Sequence, residues 1–210
     1  ATAGFVNVVT SGTSNTNLGA SSPLQGSQTD KKSQYLYLAP ELSANGVKPG
    51  LITNISFVIN TKASAAPFKG FTFKMGATNV TNLTGGFATP SSWKVITSAD
   101  YNSVFGNNDF VIPGGFLWDG VSNLVFEFCY NNSAVSADDI LTGESTSYNS
   151  QAKKFSTVPA DDGCGYPTAT AVNTFRPVFT FTQTIPQTII STQLNSTSQA
   201  KFSAADKIFF

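Results

Sequence analysis

The chain has 210 residues, room for one substantial core and, by length, a single domain. Its 12 basic residues balance its 12 acidic ones and charged residues make up only 11% of the total, so no clustered basic face is expected and nucleic acid is excluded as a natural partner. Histidine is absent, which removes the commonest general base and the commonest transition-metal ligand together.

The start, ATAGFVNVVT, has neither a basic n-region nor an apolar h-region, and reads as processed or excised from something longer. Phe5 to Val9 is a first strand. Ser11 to Ser33 is rich in Ser, Thr, Asn, Gly and Gln and offers little to a core, so residues 1–34 are expected to form one strand and a long polar surface segment. The compact module is expected over 35–182. It opens with a strand at Tyr35 to Leu38 and one helical turn at Pro40 to Asn45, stopped by Gly46. Ile52 to Asn60 follows as a strand, and Phe71, Phe73 and Met75 then alternate onto one face of the next. Lys94 to Ile96, Asp109 to Ile112, Leu124 to Tyr130, Tyr148 to Phe155 and Arg176 to Thr182 complete the series, separated by Gly, Pro, Asn and Ser. About eight strands without helical periods between them predict an all-β fold of two packed antiparallel sheets, jelly-roll-like, with a fibronectin-like sandwich as the second choice. After Thr182 the character changes, and 183–210 is expected to be a linker, a tail strand or the start of a following module. No run of about 18 apolar residues is present to cross a membrane as a helix.

The search for chemistry returns little. There is no Gly-rich phosphate loop, no Gly-x-Ser-x-Gly elbow and no Cys-x-x-Cys pair. A paired-carboxylate glycosidase would draw on Glu127 with Glu41, Asp119 or Glu144. Any chain with 12 acids offers some pair, so Glu127 is expected at a hydrogen-bonded or solvent-facing sheet position. Asp138-Asp139 and Asp161-Asp162 are acidic doublets in loops, the oxygen chemistry Ca²⁺ prefers, although neither fits a defined calcium loop; no other cofactor is expected. Trp93, Trp118 and Tyr166 are candidates for stacking on sugar rings, although for Trp118 the neighbours FLWDG favour core packing at a sheet end over a ligand. In FLWDGVSNLVFEFCYNN, Asp119-Gly120 predicts a turn that delivers Leu124, Phe126 and Phe128 to the core. The two cysteines, Cys129 and Cys164, fit one bridge in an oxidising compartment or two free buried thiols. Polarity supplied by Ser, Thr, Asn and Gly in place of charge points outside the cell.

Taken in order, YLYLAPELSANGVKPGLITNISFVI, FKGFTFKMGATNVTNL, FLWDGVSNLVFEFCYNNS, Thr146 to Ser150, and Asp162-Gly163-Cys164 through Arg176-Pro177-Val178-Phe179 resemble a recurring β-sandwich module of large secreted cell-surface proteins of Bacteroidetes-type bacteria. The resemblance covers about Tyr35 to Thr182. It implies pairing of Cys129 with Cys164, a multidomain parent exported by the type IX route, and a role in surface adhesion, gliding or extracellular polymer handling. No catalytic residue carries over. The expected function is therefore a non-catalytic extracellular module of an adhesin or fibre, with a carbohydrate-binding accessory module of a secreted enzyme as the alternative. The expected partners are other modules of the same polypeptide, neighbouring subunits or a surface polysaccharide, with no membrane insertion.

Overall fold

A computed structural model describes residues 4–159 and 161–186. Its strands are β1 (Gly4–Thr10), β2 (Thr16–Asn17), β3 (Asp30–Tyr37), β4 (Gly50–Thr61), β5 (Thr72–Thr78), β6 (Lys94–Ser98), β7 (Gly106–Trp118), β8 (Asn123–Asn131), β9 (Ile140–Ser145), β10 (Gln151–Ser156), β11 (Ala171–Asn173), β12 (Phe175–Pro177) and β13 (Phe179–Pro186). One short helix, α1 (Ala39–Ala44), lies between β3 and β4. Its first turn is held by Glu41, whose carboxylate accepts the Leu38 N–H at 3.2 Å, and it ends before Gly46, which takes the left-handed φ of 94° that favours glycine.

The strands form two antiparallel sheets. The first places β1, β13, β4 and β7 side by side, with β9, β12 and β2 continuing it beyond the end of β4. The second runs β11-β10-β3-β8-β5-β6. If β2 and the β9–β12 excursion are set aside, eight strands remain. The first, eighth, third and sixth of these pair in one sheet and the second, seventh, fourth and fifth in the other, the strand order of a jelly roll. The excursion adds to both layers, β9 and β12 to the first sheet and β10 and β11 to the second.

Between the sheets lies a phenylalanine core. Phe57, Phe110, Phe179 and Phe181 from the first sheet meet Phe73, Phe126 and Phe128 from the second. Phe73 stacks on Phe128 with ring centroids 4.1 Å apart, and Phe126 meets Phe179 at 4.8 Å. The alternation read from β8 holds, with Leu124, Phe126, Phe128 and Tyr130 all in this core.

The segment 11–33 corrects the expectation of a surface stretch. Leu18 and Leu24 plug the core, and Ser11, Ser21, Ser22 and Gln25 are buried. A polar segment can be buried when its backbone groups find partners, and here side chains supply them. The Ala20 carbonyl accepts from Lys153 Nζ (2.6 Å), Ser21 from Tyr35 Oη (2.6 Å) and Gln151 Nε2 (2.8 Å), and Ser22 from Lys31 Nζ (2.6 Å). Lys31 is fully buried, and desolvation drives its pKa well below that of an ordinary lysine. The strand that starts the module accordingly begins at Asp30, five residues before Tyr35. β9 was also missed, because Gly143 interrupts its pattern; a Cβ there would run into Leu18 and the Arg176 carbonyl. At the other end, β13 extends to Pro186, so 183–186 belongs to the sandwich, and the rest of the expected tail, 187–210, lies outside the described residues.

Candidate functional site

Each outer face of the sandwich is built differently. Over the second sheet, two loops form a roof. Residues 79–93 lay Val80, Leu83, Phe87, Ala88 and Trp93 against Leu36, Val125 and Ala152. The loop carrying Cys164 is fixed to Cys129 of β8 by a disulfide with Cα atoms 5.0 Å apart. It lies so close that a Cβ on Gly163 would stand 2.6 Å from the Lys31 amide nitrogen and the Tyr130 carbonyl oxygen.

Under the roof sits Glu127, 1% exposed. It accepts from Gln34 Nε2 at 2.7 Å and pairs with Lys74 at 2.9 Å and Lys32 at 3.6 Å. The two lysines lie over aromatic rings, Lys74 over Trp93 (4.7 Å) and Lys32 over Phe87 (4.9 Å). Tyr166 is covered in the same way by Lys154 at 4.4 Å, and its hydroxyl donates a hydrogen bond to Asp161 at 3.2 Å. The sugar-stacking expectation is therefore corrected for Tyr166, while Trp118 takes the core place favoured for it. Tyr166 is buried beneath a lysine. Trp118 is 1% exposed and donates its indole N–H to the Ser122 carbonyl at 2.8 Å, closing the corner where the chain passes from the first sheet to the second. Trp93 is half-buried with a cation on one ring face.

That corner is the Trp-Asp-Gly turn. Asp119 accepts the N–H groups of Val121 (2.9 Å) and Ser122 (2.8 Å) and the Ser122 hydroxyl (2.6 Å), and these bonds, led by the hydroxyl, lower its pKa. Gly120 takes φ 82° against Pro49.

The other acids are structural acceptors. Asp139 is fully buried and collects the N–H groups of Ala63 and Ser64 (both 2.7 Å), the hydroxyls of Ser64 and Ser103, and Lys62 at 3.5 Å. Burial raises its pKa, but this set of donors outweighs burial and the net shift is downward. Asp138 accepts from Ser27 (2.8 Å), and Asp162 accepts from Asn131 (3.3 Å). Among the described residues no three His, Cys, Asp or Glu side chains come together to hold a metal.

Glu41 and Glu144 do converge, but on Arg176, the one arginine in the chain. Arg176 bonds Glu41 at 2.8 Å, Glu144 at 2.7 Å and Tyr148 Oη at 2.7 Å, with its guanidinium over the Tyr37 ring at 4.5 Å. A glycosidase keeps one carboxyl protonated by raising its pKa. Partial burial pushes Glu41 that way, yet the Tyr148 hydroxyl and the Arg176 charge bring it below the ordinary value. This network joins α1 to β9 and β12, and its only sequence signal was the lone arginine.

Over the first sheet no loop among the described residues plays the part of the roof. Outward-facing rows cross it: Val6, Thr184, Leu51 and Leu117, then Val8, Thr182, Asn54 and Val111, then Thr10, Thr180, Ser56 and Asp109. Asp109 is the one charged residue in β1, β4, β7 and β13 together. Val6, Val8, Val111 and Leu117 are 64–74% exposed. These exposed apolar side chains lie on the two edge strands, β1 and β7, with Thr184, Leu51, Thr182 and Asn54 between them, and exposed apolar surface on a sheet face is where an interaction site is sought. No helix among the described residues is long and apolar enough to cross a membrane. Comparison of the chain with protein-family models, with curated proteins and with solved structures yields no match.

Proposed function

We propose that the chain is a non-catalytic extracellular module of a bacterial surface adhesin or fibre, and that it attaches or assembles through the outer face of its first sheet. The observation that carries this reading is the Val/Leu/Thr-rich outer surface of β1, β13, β4 and β7, whose one charge is Asp109 and whose most exposed apolar side chains, Val6, Val8, Val111 and Leu117, lie on its two edge strands. Such a surface suits packing against another folded protein, whose apolar area gains by leaving water at roughly 25 cal/mol per Å². The Cys129–Cys164 bridge supports an oxidising compartment. The acids weighed for catalysis are tied up in ion pairs and turns, which supports a structural role.

The test uses beads coated with the chain, scored for capture by the producing cells. The double variant Val111→Lys, Leu117→Lys is expected to abolish capture by the cells while the melting temperature stays near that of the parent, because both side chains are already in water. Undiminished capture in that variant would overturn the reading. Binding to a polysaccharide panel that is lost in Trp93→Ala would establish the carbohydrate-binding alternative instead.

A further inference from the structure

The edge of the exposed sheet identifies its partner more closely. β1 pairs with β13 over seven residues in unbroken register, Gly4 with Pro186 through Thr10 with Thr180, and among the described residues nothing pairs with its other side. Antiparallel residues direct their N–H and C=O alternately to one neighbour and the other. Ser11 donates its N–H to the Phe179 carbonyl at 2.7 Å, so Val9, Asn7 and Phe5 face β13 as well. The N–H and C=O of Val6, Val8 and Thr10 therefore point away from the sheet.

Proteins ordinarily protect such an edge with lysine, proline, a bulge or a covering segment. β1 reads GFVNVVT, with no charge and no proline, and its pairing with β13 contains no bulge. Its side chains add to the exposure, Phe5 at 62%, Val6 at 71% and Val8 at 64%. The turn after α1 reaches β1 on its inner side, where Gly46 meets Val9 and its carbonyl accepts from Asn7 Nδ2 at 3.3 Å.

We propose that β1 is the seam of a homodimer, in which β1 of one copy adds antiparallel to β1 of a second copy about a twofold axis at Asn7, joining the two first sheets into one. This rests on the reading of that sheet as the assembly side and names its partner. A twofold antiparallel seam is self-complementary. With the axis at Asn7, Val6 lies opposite Val8 of the partner subunit and Val8 opposite Val6 of the partner subunit. These pairs use the outward N–H and C=O groups and bring four valines together on the outer face, where branched side chains pack well. Phe5 meets Val9 of the partner subunit on the other face. The strand carries no charge to repel its own copy, which a basic or acidic edge would do.

The experiment is sedimentation equilibrium of the full chain over a range of concentrations, with three variants. The parent is expected to show a monomer–dimer equilibrium. Val6→Pro removes an N–H that points outward and leaves the ladder to β13 intact; it is expected to weaken the dimer by about 100-fold, since the twofold loses the bond twice, with the circular dichroism spectrum retained. Val6→Thr keeps the backbone donor and should dimerise. The double variant Val6→Cys, Val8→Cys should form a covalent dimer on mild oxidation, with peptide 6 linked to peptide 8 of the other copy. A parent that is monomeric at its highest soluble concentration overturns the proposal, as does a dimer that survives Val6→Pro. A dimer broken by Val6→Pro whose cysteines do not link means that some other strand fills the edge, and overturns it equally. Bead capture by cells that persists in a monomeric chain would leave the wider assembly reading standing while this seam fell.

Discussion

Val125 and Val111 are both valines on long strands of a jelly roll, both pointing away from the core, yet one is fully buried and the other 73% exposed. The difference lies in what the chain lays over each sheet. On the second sheet the β5–β6 loop and the disulfide-bound loop after β10 cover a polar interior of Glu127, Lys32, Lys74 and Gln34. The outward face there carries Asp30, Lys32, Lys74, Glu127 and Lys154, while Lys31 and Lys153 turn inward to the carbonyls of Ser22 and Ala20. On the first sheet the chain leaves open a surface whose one strand charge is Asp109. Charge here goes with cover: ionic groups are satisfied under a roof, and apolar groups are left outside it. That inversion of the usual arrangement is the physical reason for placing assembly on the first sheet.

The largest effect should come from the layer both faces share. Phe126→Ala removes a ring in contact with Phe73, Phe179 and Phe181 and should cost about 3–5 kcal/mol in urea unfolding through the cavity it leaves. If the loss were confined to one sheet in hydrogen exchange, the two faces would not share a core. Next comes the lock on the roof. Replacing both Cys129 and Cys164 by Ser opens a loop with a sequence separation of 35 and should lower stability by roughly 3–4 kcal/mol. Exchange should rise over 161–170 and stay unchanged in β1 and β13.

Acid provides a third test. Asp139 in the fold has a pKa below its ordinary value of 3.8, and Glu41 lies below 4.5. Their contributions are therefore whole above those ordinary values and are lost as pH falls through the lower folded values. Asp139→Asn should cost about 2–3 kcal/mol at neutral pH by mispairing buried donors and flatten the acid limb of the stability curve. An unchanged acid limb would show that the loops around Ser64 and Ser103 are held by other means. The smallest effects form the sharpest comparison. Val125→Ala should cost about 2 kcal/mol, while Val111→Ala should change stability by less than about 0.5 kcal/mol. Equal costs would mean that something covers Val111.

Much of this architecture was readable from local pattern. The alternation of Phe71, Phe73 and Met75 and of Leu124, Phe126 and Phe128 gave the inward faces, and the Asp119-Gly120 signal gave the corner. The roof was not readable, because a strand seen alone shows two faces and cannot say which loop will return to cover the second. Val125, Glu127 and Cys129 would have passed for a solvent side. Residues 11–33 misled for a related reason: low apolar content argues against burial only when the backbone lacks partners, and those partners, Lys31, Tyr35, Gln151 and Lys153, come from later in the chain. For Trp118 the flanking Phe116-Leu117 and the tight turn favour the core over a ligand, and the buried ring with its N–H on the Ser122 carbonyl agrees. The bare face leaves its trace in the absence of charge from β1, β4 and β13, a pattern that acquires meaning once pairing shows these strands to be neighbours.

The pairing of Gly4 with Pro186 has a mechanical consequence. Both ends of the described sandwich leave from one corner, on adjacent antiparallel strands. Tension drawn through them pulls across the ladder, and because antiparallel hydrogen bonds run perpendicular to the strands, it loads one rung at a time, as in opening a zipper. A module connected at these two points hangs beside a stretched tether and adds little to its length. β1 would peel before the rest of the sandwich felt the load, so under pull the edge strand is the first element to yield.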